Sequence, residues 1–323
     1  MTIIGPIARP TIGPLDAPLR PDGLPWEAGV GGNLLAPVSV TISGTVTIGG
    51  TLTAVVVEGV PAATLTLYRG AVSAGVITSP YTYVAADVGP SLTVVASNAA
   101  GSVTSNAIAY ATSVLGAKLK TELVGGTGLT VTGSGYSAWA DQSGNAADYV
   151  QATDANRPPA SSINGIACPD FTGGTVQLAT TALQSAQLSA SAYEFWVVVN
   201  IDDLAAARRV YGESSETKGV AMRTVSGGFQ AINVGSAAEL TTTIAGQNNT
   251  TYHVGSRLSG GVLTCDAVST TQTVAATNVV DLTGVSRIIP DGRVGHLLIC
   301  NAALSASERA DLKAYFASRY GSV

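Results

Sequence analysis

The sequence predicts a mainly β protein with one helix at the end of the chain. Its 323 residues include 37 glycines, and only 11% are charged, against about 25% in an average globular protein. Apolar residues alternate with serine and threonine over many short segments, a pattern typical of strands with one buried face. Frequent glycine indicates tight turns between these strands. Only the last residues combine a helix cap with a helical apolar spacing.

Residues 1–35 are a proline- and glycine-rich arm. Prolines recur every three or four residues, and each removes a backbone donor and disfavours helix at the residue before it. We therefore expect an extended arm. Its apolar content exceeds that of an ordinary disordered linker, which favours docking on a partner; a disordered terminus is the alternative. The predicted anchoring residues are Ile4, Ile7, Ile12, Leu15, Leu19, Leu24 and Trp26.

Residues 36–112 are predicted to form a small β-sandwich. Period-two alternation predicts strands at 38–43, 51–57 and 64–68, and Gly49-Gly50 predicts a turn between the first two. The segment carries only three charged residues, Glu58, Arg69 and Asp87. Exposed domains normally carry more charge. A spacer rich in serine and threonine would explain this, as would burial in a symmetric assembly, which we favour.

The second half of this segment resembles a known family. Tyr81 and Tyr83 precede Asp87-Val88-Gly89, and Asn98 stands three residues before Gly101. Immunoglobulin-like domains of bacterial and phage surface proteins have a similar tyrosine before an Asp-x-Gly corner and a similar Asn-x-x-Gly hairpin. The resemblance implies an immunoglobulin-like sandwich, although the strand tryptophan and the disulfide of antibody domains are absent.

Residues 113–323 are predicted to form a larger domain. A short helical lead is expected at 114–123, and the apolar run 193–199 predicts a buried strand with Trp196 between two sheets. Ser305 and Glu308 form a capping box, which predicts a closing helix with Leu312, Tyr315 and Phe316 on its apolar face, Arg319 in its last turn and Gly321 as its stop. Further strands are expected at 210–211, 219–223, 228–233, 251–256, 262–266 and 292–301.

Four motifs in this domain carry a second resemblance. They are Trp139-x-Asp141-x-Ser143-Gly144-Asn145, then Asn156-Arg157-Pro158, then Asn164-Gly165 with Phe171-Thr172-Gly173, and finally the strand 292–301 followed by Leu304-Ser305-x-x-Glu308-Arg309 and Tyr320-Gly321. Their order and spacing resemble a laminin-G-like, concanavalin-A-type jelly roll. The resemblance implies a sandwich used mainly to bind surfaces, often sugars, and only in some branches to catalyse reactions.

Hydrolases on that scaffold resemble one another in a Glu-x-Asp-x-Glu strand, whose alternation places two carboxylates on one face. This chain has no such motif, so we expect no enzyme. The carboxylates considered were Glu194, between Tyr193 and Phe195, the adjacent Asp202 and Asp203, and Glu213 and Glu216 in a polar loop. His296 lies in an apolar run and is predicted to be a core residue. His253 could point inward or outward.

The segment of Asp141, Ser143, Asn145 and Asp148 superficially resembles a calcium loop but lacks the EF-hand glycine and glutamate. An Asx-turn is favoured, and no metal or cofactor is assigned. Trp139 is expected in the core rather than as a sugar platform. An odd number of separated cysteines predicts buried free thiols and synthesis in a reducing compartment; they are Cys168, Cys265 and Cys300.

Net charge is −5 with a pI near 5.0, so no broad basic face for nucleic acid is expected. No run reaches the roughly 20 apolar residues of a membrane span, and the N-terminus lacks the pattern of a signal peptide. An adhesive protein without a secretion signal suits a virus particle assembled in the host cytoplasm. Membrane insertion is not expected.

We therefore predict a virion structural protein of a tailed phage or phage-like particle such as a gene transfer agent. It would be a head fibre, spike or decoration protein at the virion surface. Residues 1–35 would bind capsid or other virion proteins, the chain would form a homo-oligomer, and the jelly roll would contact host surface polysaccharide, a point that rests on resemblance alone. The alternatives are a tail-fibre or baseplate adhesin and, from another class, a secreted bacterial carbohydrate-binding module.

Overall fold

The computed structural model describes residues 34–173, 175–212, 219–234, 239–267, 270–276 and 280–321. Within these ranges the chain is mainly β, and a helix stands near its C-terminal end, as predicted. Of the anchoring arm, residues 1–33 lie outside the described residues, and so do all seven predicted anchoring residues.

The described strands pair antiparallel throughout. They are β1 Ser39–Gly44, β2 Thr51–Val57, β3 Thr64–Arg69, β4 Val72–Ile77, β5 Tyr81–Thr82, β6 Leu92–Asn98, β7 Gly101–Thr104, β8 Leu119–Val124, β9 Leu129–Thr132, β10 Gly135–Trp139, β11 Tyr149–Val150, β12 Ala160–Ile163, β13 Ile166–Pro169, β14 Leu178–Leu183, β15 Tyr193–Ile201, β16 Arg208–Gly212, β17 Gly219–Val225, β18 Gly228–Val234, β19 Glu239–Ala245, β20 Thr250–Ser259, β21 Val262–Ala267, β22 Thr270–Ala275, β23 Val285–Ile289 and β24 Gly292–Cys300. The α-helices are α1 Gln184–Gln187 and α2 Ala306–Tyr320, and short 3-10 helices span Ala85–Asp87, Thr112–Lys118 and Asp154–Asn156.

Strands β1–β7 form a small sandwich. One sheet has the order β1-β2-β5 and the other β4-β3-β6-β7. Alternate residues of both sheets meet in one apolar core that includes Ile42, Leu52, Leu67 and Val94. The two sequence motifs form the predicted local structures: the Tyr83 hydroxyl donates to the carbonyl of Asp87 at 2.9 Å, and the Asn98 side chain accepts the amides of the β6–β7 turn.

Strands β8–β11 and β14–β24 form a large sandwich. Its six-stranded sheet has the order β22-β21-β20-β15-β24-β8, and its nine-stranded sheet has the order β19-β18-β17-β16-β23-β14-β11-β10-β9. An aromatic core lies between them, with Phe195 and Val197 from the first sheet against Tyr211 and Phe229 from the second. The β12–β13 hairpin stands beside β24.

Helix α2 lies on the outer face of the six-stranded sheet. Its position shows that the predicted placement of Trp196 between the two sheets is wrong. Trp196 is fully buried as expected, but under Leu312 and Phe316 of α2 instead of between the two sheets. Because α2 covers this face, β15 is apolar on both sides, and alternation sends Trp196 outward while Phe195 and Val197 point to the intersheet core. A side chain at Gly255 would come within 2.6 Å of the Trp196 ring, so this contact requires glycine.

The predicted helical lead at 114–123 is wrong in its second half. A 3-10 helix ends at Lys118, and residues 119–124 form strand β8, which pairs with the edge of β24. Gly116 adopts φ 55° and ψ −133°, which interrupts the helical backbone. Pairing with an open sheet edge therefore prevailed over the helical propensity of Leu119, Lys120 and Glu122.

Helix α2 also contacts the small sandwich. The Asp311 carboxylate accepts the backbone amide of Ile48 at 2.7 Å, and the Tyr315 ring lies 5.7 Å from that of Tyr110. The predicted capping box of Ser305 and Glu308 opens the helix. One helix thus contacts both sandwiches. The predicted domain boundary at residue 112 stays a prediction.

Candidate functional site

A row of three long polar side chains and one isoleucine crosses the outer face of the nine-stranded sheet. Gln230, Arg223, Arg209 and Ile289 stand opposite one another on β18, β17, β16 and β23, and directly opposed residues share a face. The neighbours Phe229, Met222, Val210 and Ile288 belong to the intersheet core. Alternation therefore turns the row away from the core.

A second row runs beside the first and holds small residues around a third arginine. Arg287 on β23 stands opposite Gly212 on one side and Ala179 on the other. The row continues through Ala221 in one direction and Val150 in the other. Long side chains of the first row therefore border a shallower strip, and three arginines fall within two adjacent rows. We call Arg209, Arg223, Gln230 and Arg287 the arginine face.

Hydrogen bonds fix part of the arginine face and leave one donor unused. Arg223 Nε donates to Gln230 Oε1 at 2.5 Å, and Arg287 Nη1 donates to Gln177 Oε1 at 3.3 Å. Arg209 and Arg223 have further partners within the chain. Arg287 Nε is buried without a hydrogen-bond partner, and an unpaired buried donor is costly.

A pocket of about 350 Å³ lies where the two sandwiches join. Its floor includes Thr112 and Glu122, and its rim includes Ser113, Gln142 and Ser143. The Thr112 hydroxyl donates to Glu122 Oε2 at 2.6 Å, Gln142 Nε2 donates to the carbonyl of Ala140, and Ser143 Oγ donates to Asp141. Most of the polar groups that could meet a ligand here already serve the fold.

The Glu122 carboxylate is also the centre of a buried polar cluster. His296 Nε2 lies 3.1 Å from Glu122 Oε1, and His296 Nδ1 lies 3.3 Å from the Tyr320 hydroxyl. Burial acts to raise the pKa of Glu122, but hydrogen bonding and charge from His296 outweigh it and lower that pKa. Glu122 lies between the hydroxyl and the imidazole, an order that does not make a nucleophile–base–acid chain. The prediction that His296 is a satisfied core residue is confirmed.

The loop at Asp141 has the geometry of an Asx-turn. Asp141 Oδ1 accepts the amides of Glu122 and Ser143, and Oδ2 accepts the Ser143 hydroxyl and the Ala147 amide. All four acceptor positions of the carboxylate are thus occupied by protein donors. The preferred interpretation of this loop is confirmed. Within the described ranges, no group of three or more His, Cys, Asp or Glu residues is placed to hold a metal ion.

Glu194 fastens α2 to the sheet. Its Oε1 accepts Trp196 Nε1 and Arg309 Nε, both at 2.8 Å, and its Oε2 accepts the Leu304 amide and Arg309 Nη2. A buried carboxylate bound by four donors is an anchor for the helix. His253, whose direction the sequence left open, points to the same outer layer, with its ring 5.6 Å from Phe316. Burial lowers the pKa of His253 to about 4.

Most remaining sequence predictions fall on core positions. Trp139 is fully buried, and its Nε1 donates to the carbonyl of Val124. All three cysteines are free and buried, as predicted. Burial raises the pKa of the Cys168 and Cys265 thiols to about 12. Glu213 and Glu216 lie outside the described residues.

Sequence reasoning missed the arginine face. Arg209, Arg223 and Arg287 are separated by 14 and 64 positions in the sequence, and only strand pairing brings them together. The sequence did contain a signal for these arginines. Each arginine stands next to an apolar residue in its strand, so alternation turns the arginine away from the core. The missing information was the order of the strands.

None of the described helices combines the length and apolar content that crossing a membrane requires. No protein-family model and no curated protein matches the chain.

Solved structures similar to the chain include botulinum neurotoxin type C, whose route into cells depends on interaction with two ganglioside molecules (10% identity, TM-score 0.47, covering 65% of this chain and 54% of that one). Two others are the binding domain of botulinum neurotoxin DC in complex with SialylT (10%, 0.44, 63% and 52%) and the receptor-binding domain of botulinum neurotoxin D (12%, 0.45, 61% and 52%). The chain spans about half the length of these structures. At these identities and TM-scores, the similarity does not indicate the ligand or the family of this chain.

Proposed function

We propose that this chain is a surface adhesion protein of a tailed phage or phage-like particle. The proline-rich arm binds capsid or other virion proteins, the small sandwich is a spacer, and the large sandwich is a laminin-G-like jelly roll that binds host surface polysaccharide. The observation that carries the binding role is the arginine face. It groups polar side chains on an outer sheet face, whereas the opposite outer face is covered by α2.

The surface of the small sandwich supports an assembled state. Arg69 Nε lies 2.7 Å from Asp87 Oδ1, and Asp87 is fully buried, so two of its three charges neutralise each other. Large apolar residues stand exposed on the same sandwich, namely Val38, Val55, Val57, Val72 and Val76. Exposed apolar surface of this kind marks contact sites. We infer that copies of the chain pack through this sandwich in a homo-oligomer at the virion surface.

Binding without cleavage is part of the proposal. Two-carboxylate hydrolysis needs one carboxyl free to act as acid and another free as base or nucleophile. In the described residues, Glu194 is bound by Arg309, Glu122 by Thr112 and His296, and Asp266 by Arg257. These contacts support a role as a binding protein.

A glycan microarray with the purified full chain tests the binding role. The proposal predicts reproducible, weak binding to one group of polysaccharides, because many copies on one particle multiply weak contacts. Incubation with each bound polysaccharide should release no reducing ends. Absence of binding to every glycan would contradict the adhesive role, and sustained release of oligosaccharides would contradict binding without cleavage.

Particle attachment tests the role of the arm. Deleting residues 2–35 should yield soluble protein that no longer binds the particles that carry this chain. A second variant replaces Ile7, Ile12 and Leu15 by serine. It keeps the length and the prolines but removes the apolar side chains, and it should also fail to attach. Undiminished attachment of both variants would overturn the anchoring role.

A further inference from the structure

Helix α2 has a second contact side besides the one that covers the six-stranded sheet. Leu312, Phe316 and Tyr320 pack into the apolar layer on that sheet. A different set of positions, spaced by three, four and seven residues, shares another side of the helix. We call this side the junction face; its residues are Asp311, Ala314, Tyr315 and Ser318. Each of them contacts the small sandwich.

Two turns of the small sandwich approach the junction face closely. Asp311 Oδ1 accepts the backbone amide of Ile48, between β1 and β2, at 2.7 Å, and Asp311 is buried. A side chain at Gly89, in the turn before β6, would collide with the side chain of Ser318. Gly89 also adopts φ 101°, a conformation that favours glycine. The two turns, which are distant in the sequence, therefore meet the helix at separate points.

Apolar contacts extend the core of the small sandwich into α2. Ala314 and Tyr315 pack against that core, and the Tyr315 ring lies 5.7 Å from the ring of the buried Tyr110. Tyr315 also packs against the apolar layer under α2, with its ring 5.9 Å from that of His296. One side chain therefore belongs to the cores of both sandwiches.

The segment that connects the two sandwiches is also held in place. The hydroxyl of Thr112 donates to Glu122 Oε2 on β8 at 2.6 Å, and both residues are buried. Six residues further along, Lys118 Nζ donates to both carboxylate oxygens of Glu308, in the first turn of α2, at 2.7 Å. The connection is therefore bonded to the large sandwich instead of forming a free linker.

We propose that α2 holds the two sandwiches in one fixed orientation, so that the small sandwich is a rigid extension of the large one. Domains of one chain move relative to each other unless their interface is large and apolar. The shared core, the two turns and the bonded connection restrain that motion. The inference needs no assumption about a ligand. In an adhesion protein of the proposed kind, a fixed angle would let many copies engage one surface together.

Double electron–electron resonance between spin labels on the two sandwiches tests this orientation in the full chain. Ser73→Cys on β4 and Val150→Cys on β11 place the labels at exposed positions, whereas the three native cysteines are buried. The proposal predicts one narrow distribution of distances between the labels. A broad distribution, as given by domains that pivot on a linker, would overturn it.

Ala314→Arg in the labelled chain tests the role of α2. It places a long, charged side chain between α2 and the small sandwich and leaves Leu312 and Phe316 in place. The distance distribution should broaden, and the most protected amides of β6 should exchange with deuterium about tenfold faster or more, the effect of an overpacked contact. The amides of β15 should keep their exchange rates.

Ala310→Arg is the matched control. Ala310 lies one turn earlier on the same helix and is exposed, so the same substitution there should leave both the distances and the exchange of β6 unchanged. A narrow distribution that persists in Ala314→Arg, or an equal broadening in both variants, would overturn the role of the junction face. If Ala314→Arg fails to fold, the width of the distribution without it still decides whether the orientation is fixed.

Discussion

The outer faces of the two sheets of the large sandwich differ in what covers them and in which residues they carry. The six-stranded sheet buries its outer face under α2, with Trp196, Leu298 and Phe316 in a second apolar layer. The nine-stranded sheet carries arginine, glutamine and small residues on its outer face. A sheet covered on both sides reads as a continuous apolar run, whereas a sheet with one open side alternates. The structure thus assigns a stabilising role to the covered face, and the proposed function assigns ligand contact to the other.

Charged groups follow the same division. On the covered face, Glu194 and Arg309 bind each other at 2.8 Å, and Glu122 and His296 are buried together. On the outer face of the nine-stranded sheet, Arg287 Nε is buried without a hydrogen-bond partner. Glu194 and Glu122 have the complete sets of partners that buried charges need. The substitutions below should be destabilising on the covered face and nearly neutral on the open one.

The largest effect is expected at the second apolar layer. Trp196→Ala should lower the free energy of unfolding by about 3–5 kcal/mol, as large-to-small core changes do. Val150→Thr, at an exposed position of the nine-stranded sheet, should change it by no more than about 0.5 kcal/mol. Denaturant unfolding of both variants measures the contrast. Similar denaturation midpoints for the two variants would show that the packing of α2 on Trp196 does not stabilise the sheet.

The next effect concerns the buried carboxylate. Glu194→Gln places an amide among four donors and leaves Arg309 without its partner, so the free energy of unfolding should fall by about 3 kcal/mol. Asp202→Asn removes a more exposed pair, in which Arg293 lies 2.6 Å away, and should cost less than about 1 kcal/mol. Equal losses in the two variants would contradict the anchoring role of Glu194.

Acid should loosen the covered face through His253. Burial lowers the pKa of His253 to about 4, below the unfolded value of about 6.5, so the unfolded chain takes up a proton first. Stability is therefore complete above about pH 6.5 and is lost as the pH falls toward 4; at pH 5 the loss is about 2 kcal/mol. Unfolding at pH 7 and pH 5 measures it, with His253→Leu as the control. An unchanged difference between the two pH values in that variant would exclude His253 as the cause.

The smallest effect on stability is expected at the arginine face itself. Arg287→Ala removes one long hydrogen bond, to Gln177, and should change the free energy of unfolding by no more than about 0.5 kcal/mol. Thermal unfolding of this variant beside the wild type checks it. A loss comparable to that of Glu194→Gln would mean that Arg287 serves the fold.

The contrast also explains what the sequence could predict. Local signals predicted part of the strands, such as those at 193–199 and 292–301, as well as the Asx-turn at Asp141 and the capped helix, because each depends on neighbours in the chain. The placement of Trp196 was missed, since a strand that is apolar throughout does not say which layer covers which side. The arginine face was missed because Arg209, Arg223 and Arg287 meet only through strand order, which alternation does not encode.

Hydrogen–deuterium exchange of the full chain with and without a polysaccharide that it binds on the glycan microarray tests the division between the two faces most directly. The account predicts slower exchange in β16, β17 and β23, which carry the three arginines, and no change in α2 or β15. Protection confined to α2, to β15 or to the pocket around Thr112 and Glu122 would contradict it, and so would an exchange pattern that the polysaccharide leaves unchanged.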